Sequence, residues 1–202
     1  MRAARKGIVP RVAKTGERST PGAEHHGGLR LPSSVRLRFR TWQPDDLPLA
    51  LELWGDARVT ALISRSAWGP AQVEERLRTE MRFQETDGVQ YWPFFLRTTG
   101  ELAGCCGLHP RHPERGILEL GFHLLPRAWG KGLATEAARA AAVHGLDHLG
   151  ASALFAGHHP ENAASGRVLA KLGFRYTHRE RYPPTGLLHP CYLLAREELR
   201  RG

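Results

Sequence analysis

Two glycines, Gly130 and Gly132, stand between an apolar segment and an alanine-rich segment, next to Arg127 and Lys131. The first backbone N–H groups of a helix lack partners within the helix and carry partial positive charge, so a glycine loop that leads into a helix can bind an anion. Glycine has no Cβ, which lets a phosphate approach the main chain closely. The same spacing fits an ordinary strand-to-helix turn, and the residues alone leave both interpretations open.

The elements on either side of this loop follow from hydrophobic periodicity. Residues 117–124 form a short run rich in strand formers, and the segment from Leu133 to about His144 has a helical pattern of alanines. Small side chains on a buried face let a helix pack close to a sheet, which keeps its N-terminus near the end of the strand. The sequence therefore predicts a strand, a glycine-rich loop and a helix.

The other segments predict an α/β domain with a mixed sheet. Residues 35–42 alternate apolar residues with Arg36, Arg38 and Arg40, which predicts a half-buried strand with these arginines on its solvent face. Pro93 predicts an edge position or a bulge in its strand, and Gly121 predicts a bulge in the strand 117–124. Helices are predicted over 43–54, 71–84 and 163–173, and further strands over 90–97, 101–110, 153–157, 174–180 and 189–195.

The length of 202 residues suits one domain, and the net charge of +9 has a specific location. Residues 1–40 carry ten basic and two acidic side chains, so eight of the nine net charges lie there. The rest of the chain is almost neutral, which makes nucleic-acid binding unlikely except through the basic end. We interpret residues 1–34 as a mobile basic tail and residues 35–202 as a single domain.

The cysteine content and the hydropathy pattern indicate a cellular setting. Cys105 and Cys106 are adjacent and Cys191 is distant, so the three cysteines do not form a disulfide framework. No apolar run approaches the roughly 18 residues that span a bilayer. The sequence thus favours a reduced, cytoplasmic protein without a membrane segment.

Two motifs at a fixed separation resemble a known family. The loop R-A-W-G-K-G-L-A-T-E-A at 127–137 resembles the acetyl-CoA pyrophosphate loop of the GNAT N-acetyltransferases, specifically their RimJ/RimL-type branch. The segment N-A-A-S-G-R-V-L-A-K-L-G-F at 162–174 resembles the second cofactor helix of that branch. The loop pattern is met by Arg127, Gly130 and Gly132. A register two residues later also fits at Gly132 and Ala134, but it places Trp129 in the basic position. The resemblance covers about residues 36–195.

The resemblance implies a mixed, mostly antiparallel central sheet with flanking helices, in which the strands 117–124 and 152–157 splay apart. The pantetheine arm of acetyl-CoA would lie in the gap, next to unpaired backbone groups. Backbone N–H groups near His123 and Leu124 would polarise the thioester carbonyl. The implied cofactor-binding residues are Phe122, His123, Leu124, Arg127, Trp129, Gly130, Lys131, Gly132, Leu133, Ala134, Asn162 and Ser165.

The resemblance also implies catalytic roles. Glu119 would be the general base that takes the amine proton. The alternative is a structural role for Glu119, in an ion pair with a nearby arginine. Ser165 would donate a proton to the leaving thiolate, because Leu169 stands where many GNAT enzymes have a tyrosine. Its alternative is a local hydrogen bond to backbone. Asn162 would be the N-cap of its helix and would also contact pantetheine.

The implied activity is transfer of an acetyl group from acetyl-CoA to a primary amine, by direct attack in a ternary complex. Arg65, Trp68, Tyr182 and Pro183 would border the acceptor groove. The acceptor could be a protein N-terminus or a small amine, and the near-neutral body disfavours polycations. The alternative is a non-catalytic acyl-CoA-binding domain whose basic tail docks to RNA or a ribosome. A homodimer is possible, and the histidine pairs at 109/112 and 158/159 lack the further ligands of a zinc site, so no metal is expected.

Overall fold

A computed structural model of the chain describes residues 30–199. Of the predicted tail, residues 1–29 lie outside the described residues. Leu31 already packs against the apolar core, and the hydroxyl of Ser34 donates a hydrogen bond to Glu136. Contacts with the domain therefore begin ahead of the predicted boundary at residue 35.

The described residues form a seven-stranded sheet with helices on both faces, which confirms the predicted mixed, mostly antiparallel architecture. The strand order is β1-β2-β3-β4-β5-β7-β6, and only the β4–β5 pair is parallel. The strands are β1 (Leu37–Phe39), β2 (Tyr91–Leu96), β3 (Leu102–His112), β4 (Ile117–Leu124), β5 (Ala153–Gly157), β6 (Arg175–Tyr182) and β7 (Leu187–Ala195). The helices are α1 (Leu47–Trp54), α2 (Ala57–Thr60), α3 (Pro70–Asp87), α4 (Leu133–Val143), α5 (Ala163–Leu172) and α6 (Arg196–Leu199).

Two apolar clusters cover the two faces of the sheet. One cluster packs α4 and α5 on the sheet, and the alanines of α4 make this contact close, since Ala137, Ala138 and Ala141 have no exposed surface. The other cluster packs α1 and α3 on the opposite face, around Trp54 and Tyr91. Because side chains alternate between faces along a strand, β2 and β3 contribute residues to both clusters.

Two of the helices end at a glycine. Gly88 and Gly173 adopt the left-handed conformation after α3 and α5, with φ of 70° and 88°, which ends each helix as glycine at this position commonly does. The predicted helix over 43–54 is divided into a 3-10 turn at Pro44–Asp46 and α1. No helix among residues 30–199 is long and apolar enough to cross a membrane.

The two bulge predictions had different outcomes. The register of β2 on β3 shifts between Phe94 and Phe95, one residue after Pro93, which confirms an irregularity there. The prediction for Gly121 was wrong, because Gly121 pairs with Gly107 without interruption. A Cβ on Gly121 would lie 2.2 Å from the hydroxyl oxygen of Tyr91, so the missing side chain makes room for this phenol.

The three arginines near β1 are less uniform than predicted. The alternation is confirmed within β1, since Leu37 and Phe39 are buried and Arg38 is exposed, but Val35 lies before the strand and is exposed. Arg40, however, forms an ion pair with Asp46 at 2.5 Å, and Arg36 forms one with Glu136 at 2.5 Å. Two of the three predicted solvent-facing arginines thus bind other elements of the domain.

Candidate active site

A cleft opens where β4 and β5 separate. The parallel pairing of the two strands ends at Glu119 and Phe155, so residues 120–124 of β4 have no β5 partner on that side. The predicted splay of the central strands is therefore confirmed. Backbone N–H and C=O groups along such an unpaired edge are free to bind an extended ligand.

The cleft has a volume of about 210 Å³ and brings together the three predicted catalytic residues. Glu119, on β4, lies on one side, and Asn162 and Ser165, at the start of α5, lie on the other. Phe122 and His123 also line the cleft. The structure thus places predicted residues from two distant segments around one cavity.

Glu119 has only a weak charged contact. Arg111 approaches it at 3.7 Å, beyond hydrogen-bond distance, and 30% of the Glu119 side chain is exposed. Burial raises the pKa of Glu119 above its usual value, and the positive charge of Arg111 opposes this shift. The predicted alternative for Glu119, an ion pair with an arginine, is present only as this long contact.

Arg111 instead binds Glu180 on β6. Its terminal Nη2 lies 2.7 Å and 2.6 Å from the two carboxylate oxygens of Glu180, and its guanidinium lies over the ring of Phe155 at 4.4 Å. This hydrogen-bonded contact lowers the pKa of Glu180. Both charges line the cleft next to Glu119.

Tyr91 covers the cleft-facing side of β3 and β4. Its ring is stacked on that of His109 with centroids 3.8 Å apart, and its hydroxyl lies over Gly121. Burial raises the pKa of Tyr91 well above its usual value, so the phenol stays protonated. Tyr91 therefore offers an O–H donor to the cleft.

A buried ion pair between Glu80 and Arg76 holds the backbone of Tyr91 in place. Glu80 on α3 has no exposed surface, accepts a hydrogen bond from the Tyr91 N–H at 2.7 Å and contacts His109 at 2.8 Å. Arg76 lies 2.6 Å from its other oxygen. Burial alone would raise the pKa of Glu80, but Arg76, His109 and the backbone N–H lower it to about 2.

His123 presents a side chain as well as a backbone to the cleft. The indole N–H of Trp54 donates to Nδ1 of His123 at 3.0 Å, so the neutral ring carries its proton on Nε2. Burial lowers the pKa of His123 to about 3. The imidazole is therefore a neutral donor at physiological pH.

Asn162 and Ser165 form the start of α5. The side-chain oxygen of Asn162 accepts a hydrogen bond from the Ser165 N–H at 3.0 Å, which makes Asn162 the N-cap. Among the described residues, none bonds to the Ser165 hydroxyl. The Leu169 side chain, which is buried, lines the cleft one turn further along the helix.

The glycine loop has the geometry of an anion site. Gly130 and Gly132 have φ of 71° and 74°, and Gly132 directly precedes α4 without any side-chain cap at the helix N-terminus. A Cβ at Gly130 would meet nothing within 4 Å, so the main chain is open on that side. The first N–H groups of α4, from Leu133 and Ala134 onward, are thus available to a phosphate, with Lys131 beside them.

Arg36 fixes the conformation of this loop. Its guanidinium donates to the Lys131 carbonyl at 3.1 Å and to Glu136 at 2.5 Å, and its backbone N–H donates to Glu136 at 2.8 Å. Glu136 would place a negative charge in the first turn of α4, and Arg36 neutralises it. The residue directly before β1 therefore connects the start of the sheet to the loop.

Two predicted cofactor residues are engaged by the protein itself. Arg127 pairs with Glu52 at 2.5 Å and donates to the Leu102 carbonyl at 2.7 Å. The indole N–H of Trp129 donates to the Leu124 carbonyl at 2.8 Å, and half of this side chain is exposed beside the loop.

The four predicted groove residues lie on two segments, the loop before α3 and the end of β6 with its following turn. Tyr182 lines the cleft, whereas Trp68 packs against the apolar cluster around Trp54. Arg65 donates to the Thr185 carbonyl at 3.1 Å, which connects the loop before α3 to the turn after β6. Pro183 is exposed in that turn.

The histidines of the cleft are bonded within the protein. Nδ1 of His158 lies 2.8 Å from the His159 carbonyl, and Nδ1 of His159 accepts the Glu161 N–H at 3.2 Å. Near them, side-chain atoms of His178, Glu180 and Cys191 that could serve as metal ligands lie within 4.8 Å of one another. Since Arg111 occupies both oxygens of Glu180, this group is engaged in an ion pair.

Sequence reasoning missed the side chains that surround Glu119. His109 and Arg111 follow from the β3–β4 hairpin, because His109 pairs directly with Glu119. The alternation of side chains along β3 could have placed both on the cleft face. Nothing in the local sequence places Glu180 there, because its position depends on the irregular pairing of β6 with β7.

Comparisons with known proteins agree with this architecture. The model of the acetyltransferase (GNAT) domain family matches residues 36–175. YkkB of Bacillus subtilis strain 168 is 35% identical over 107 residues, 52% of this chain and 62% of that relative, so the match spans less than two thirds of it. The N-acetyltransferase p20 of Bacillus licheniformis is 26% identical over 141 residues, 69% of this chain and 79% of p20.

Solved structures share the fold. A GNAT-family acetyltransferase from Bacillus anthracis superposes with a TM-score of 0.72 over 83% of this chain and 99% of its own, at 23% identity. RimL, a ribosomal L7/L12 α-N-protein acetyltransferase solved with coenzyme A, superposes with a TM-score of 0.70. The match covers 82% of this chain and 97% of RimL, at 14% identity. The family model covers most of the chain. The glycine loop is formed by the motif at 127–137, and the motif at 162–174 lines the cleft. The chain belongs to the GNAT family of acetyl-CoA-dependent acetyltransferases.

Proposed function

We propose that the protein transfers the acetyl group of acetyl-CoA to a primary amine, by direct attack within a ternary complex at the β4–β5 cleft. The observation that carries this proposal is that Glu119 and Ser165 line one cavity from opposite elements. A carboxylate with a raised pKa and a free hydroxyl are the two proton-transfer groups that the reaction needs.

The structure fits acetyl-CoA at two places. The open loop at Gly130 and Gly132, with the uncapped start of α4, suits a pyrophosphate. The unpaired edge of β4 suits the amides of a pantetheine arm, and within residues 30–199 no acceptor binds the side-chain N–H₂ group of Asn162, beside its capping oxygen. Acetyl-CoA supplies the acetyl group as a thioester.

The residues of the cleft then have separate tasks. Glu119 accepts the proton of the attacking amine, directly or through water, because an aliphatic ammonium cannot attack a carbonyl carbon. Backbone N–H groups near His123 and Leu124 stabilise negative charge on the carbonyl oxygen. Ser165 can donate its Oγ proton to the departing thiolate, and the proton that Glu119 took from the amine replaces it through water, so that the net transfer is from the amine to the thiol.

The charge of the cleft limits the acceptor. Arg76, Arg111 and Arg181 line it together with two carboxylates, Glu119 and Glu180. A polycation such as a polyamine would require a surplus of acidic groups. We therefore place the acceptor among protein N-termini and small monoamines.

Acceptor-dependent release of free thiol tests the proposed function. The full chain is incubated with acetyl-CoA and a panel of peptides, amino acids and small amines, and acetylated products are identified by mass spectrometry. We expect thiol release together with acetylation for a subset of the panel. Binding of acetyl-CoA with no acceptor-dependent release across the panel would contradict the proposal.

A further inference from the structure

Arg111 lies between two carboxylates of the cleft, and only one of them binds it. Glu180 accepts two hydrogen bonds from its Nη2, at 2.7 Å and 2.6 Å, whereas Glu119 lies 3.7 Å from its Nη1. The ring of Phe155 lies under the guanidinium at 4.4 Å. The Glu180 carboxylate thus holds the Arg111 guanidinium away from Glu119, and the ring of Phe155 supports it.

The three charged residues come from three strands. Arg111 is on β3, Glu119 on β4, and Glu180 on β6, which is paired to β7 at the edge of the sheet. Glu180 pairs with His189 of β7, and this register directs its carboxylate toward the cleft. The contact between β3 and β6 is therefore a side-chain contact across the cleft, with no strand pairing between them.

We propose that Glu180 is a positioning residue that binds Arg111 and prevents it from forming an ion pair with Glu119, which keeps Glu119 able to accept a proton. This inference rests on the proposed function, in which Glu119 is the base. It assigns to Glu180 a role in the reaction although Glu180 does not itself contact the reacting atoms.

The physical reason is the strength of arginine–carboxylate pairing. A full ion pair with Arg111 would stabilise the charged form of Glu119 and lower its pKa, which weakens it as a base. The negative charge of Glu180 acts on Glu119 in the opposite direction and raises its pKa, in addition to the larger effect of burial. Glu180 thus favours a basic Glu119 both by occupying Arg111 and by its own charge.

Other groups around Glu119 do not replace Glu180 in this role. Five other charged or titratable residues lie around Glu119: His109 on β3, Arg76 on α3, Tyr91 on β2, Tyr182 on β6 and Cys191 on β7. Glu80 offsets the charge of Arg76 at 2.6 Å. Burial raises the pKa of Tyr91, Tyr182 and Cys191, so all three are neutral near pH 7.

Titration of the Glu119 carboxyl tests the inference without any knowledge of the acceptor. The full chain is labelled with ¹³C at glutamate carboxyl carbons, and the Glu119 signal is identified by its loss in Glu119→Gln. We expect the titration midpoint of Glu119 to fall in Glu180→Gln and to rise in Arg111→Met. Opposite shifts of one signal are not produced by general loosening of the fold.

Matched variants complete the test. Glu114→Gln removes the same charge from an exposed residue before β4 and should leave the midpoint unchanged. Glu180→Asp keeps the charge and should keep most of the wild-type midpoint, which also covers the case that Glu180→Gln does not fold. An unchanged or raised midpoint in Glu180→Gln, or loss of the wild-type midpoint in Glu180→Asp with the fold intact, would overturn the inference.

Turnover separates this inference from the proposed function. With an accepted amine, Glu180→Gln should retain turnover, with a plateau kcat reduced by about threefold to tenfold and the acidic limb of kcat moved to lower pH. If Glu180→Gln loses as much activity as Glu119→Gln, Glu180 is itself the base and the inference fails. If Glu119→Gln keeps full activity, the proposed role of Glu119 fails instead.

Discussion

The carboxylate of Glu119 and the hydroxyl of Ser165 define the chemistry that the cleft can perform. The first is the proposed base, whose pKa burial raises, and the second is the proposed donor, whose hydroxyl no described residue binds. His123 and Tyr91 add two neutral donors, because burial lowers the pKa of the imidazole to about 3 and raises that of the phenol well above its usual value. A neutral donor can stabilise developing negative charge without neutralising the base beside it.

At this scale we expect Ser165→Ala to reduce kcat by about tenfold to a hundredfold, because the thiolate would leave without a proton donor. The KM for acetyl-CoA should change little, since the cap formed by Asn162 uses the backbone N–H of residue 165 and remains intact. Steady-state kinetics with an accepted amine measures both values. Ser152→Ala is the control, because that hydroxyl donates to the Arg115 carbonyl outside the cleft. Equal kcat values for the two variants would exclude Ser165 as donor.

The segment from β4 to α4 is the element that we propose to position the cofactor. β4 provides the unpaired edge, two glycines with positive φ form the turn, and α4 begins without a side-chain cap. Arg36 holds this turn through the Lys131 carbonyl and neutralises Glu136 in the first turn of α4. The same guanidinium therefore stabilises the loop and removes a charge that would repel phosphate.

We expect Arg36→Met to raise the KM for acetyl-CoA by about tenfold, equivalent to roughly 1.4 kcal/mol of binding free energy, with a smaller change in kcat. The loop loses its brace, and the Glu136 carboxylate becomes an unpaired charge near the pyrophosphate. Adding Glu136→Gln should recover part of the affinity. The control is Arg38→Met, because Arg38 is exposed and its guanidinium lies over the ring of Phe95, away from the glycine loop. A KM that is equal for the two arginine variants would contradict this role.

The sequence is sufficient to predict the elements that position the site, but it does not predict the charges around the base. Gly130, Gly132 and Asn162 have local signatures, since a positive φ and an N-cap depend on few neighbours. The Arg36–Glu136 pair joins residues 100 positions apart, and the Arg111–Glu180 pair joins residues 69 apart. These contacts depend on strand register, and register shifts near Pro110 and near Tyr176 leave no clear local signal.

Across the whole molecule, the site lies over the apolar cluster that packs α1 and α3 on the sheet. Glu80 is fully buried there. Its carboxylate binds the backbone N–H of Tyr91 and the side chains of His109 and Arg76. A buried carboxylate with this many partners connects the stability of the fold to the shape of the cleft. Removing its charge leaves the Arg76 guanidinium without its counter-ion.

We therefore expect Glu80→Gln to lower the free energy of unfolding by roughly 3 kcal/mol or more at pH 7. The pKa of Glu80 is about 2 in the folded protein, below the ordinary 4.5 of an unfolded chain. Its contribution to stability is thus fully present above the higher value and is lost as the pH falls toward the lower one. Denaturant unfolding between pH 6 and pH 3 should show a weaker acid destabilisation in Glu80→Gln than in the wild type.

Glu75→Gln is the control for that experiment, because Glu75 is on the same helix and 62% of its side chain is exposed. We expect it to reproduce the wild-type stability and its pH dependence closely. A Glu80→Gln variant with the same acid destabilisation as the wild type would contradict the ionised, buried state of Glu80.

The most direct test of the central claim is the rate of acetyl transfer by Glu119→Gln at saturating acetyl-CoA and acceptor. We expect kcat to fall by a factor of about 10² to 10⁴, with the affinity for acetyl-CoA unchanged, because the amide has the shape of the carboxylate but cannot accept the amine proton. Glu114→Gln, which removes an equal charge outside the cleft, should match the wild type. A Glu119→Gln enzyme that turns over within about twofold of the Glu114→Gln control would contradict the assignment of Glu119 as the base.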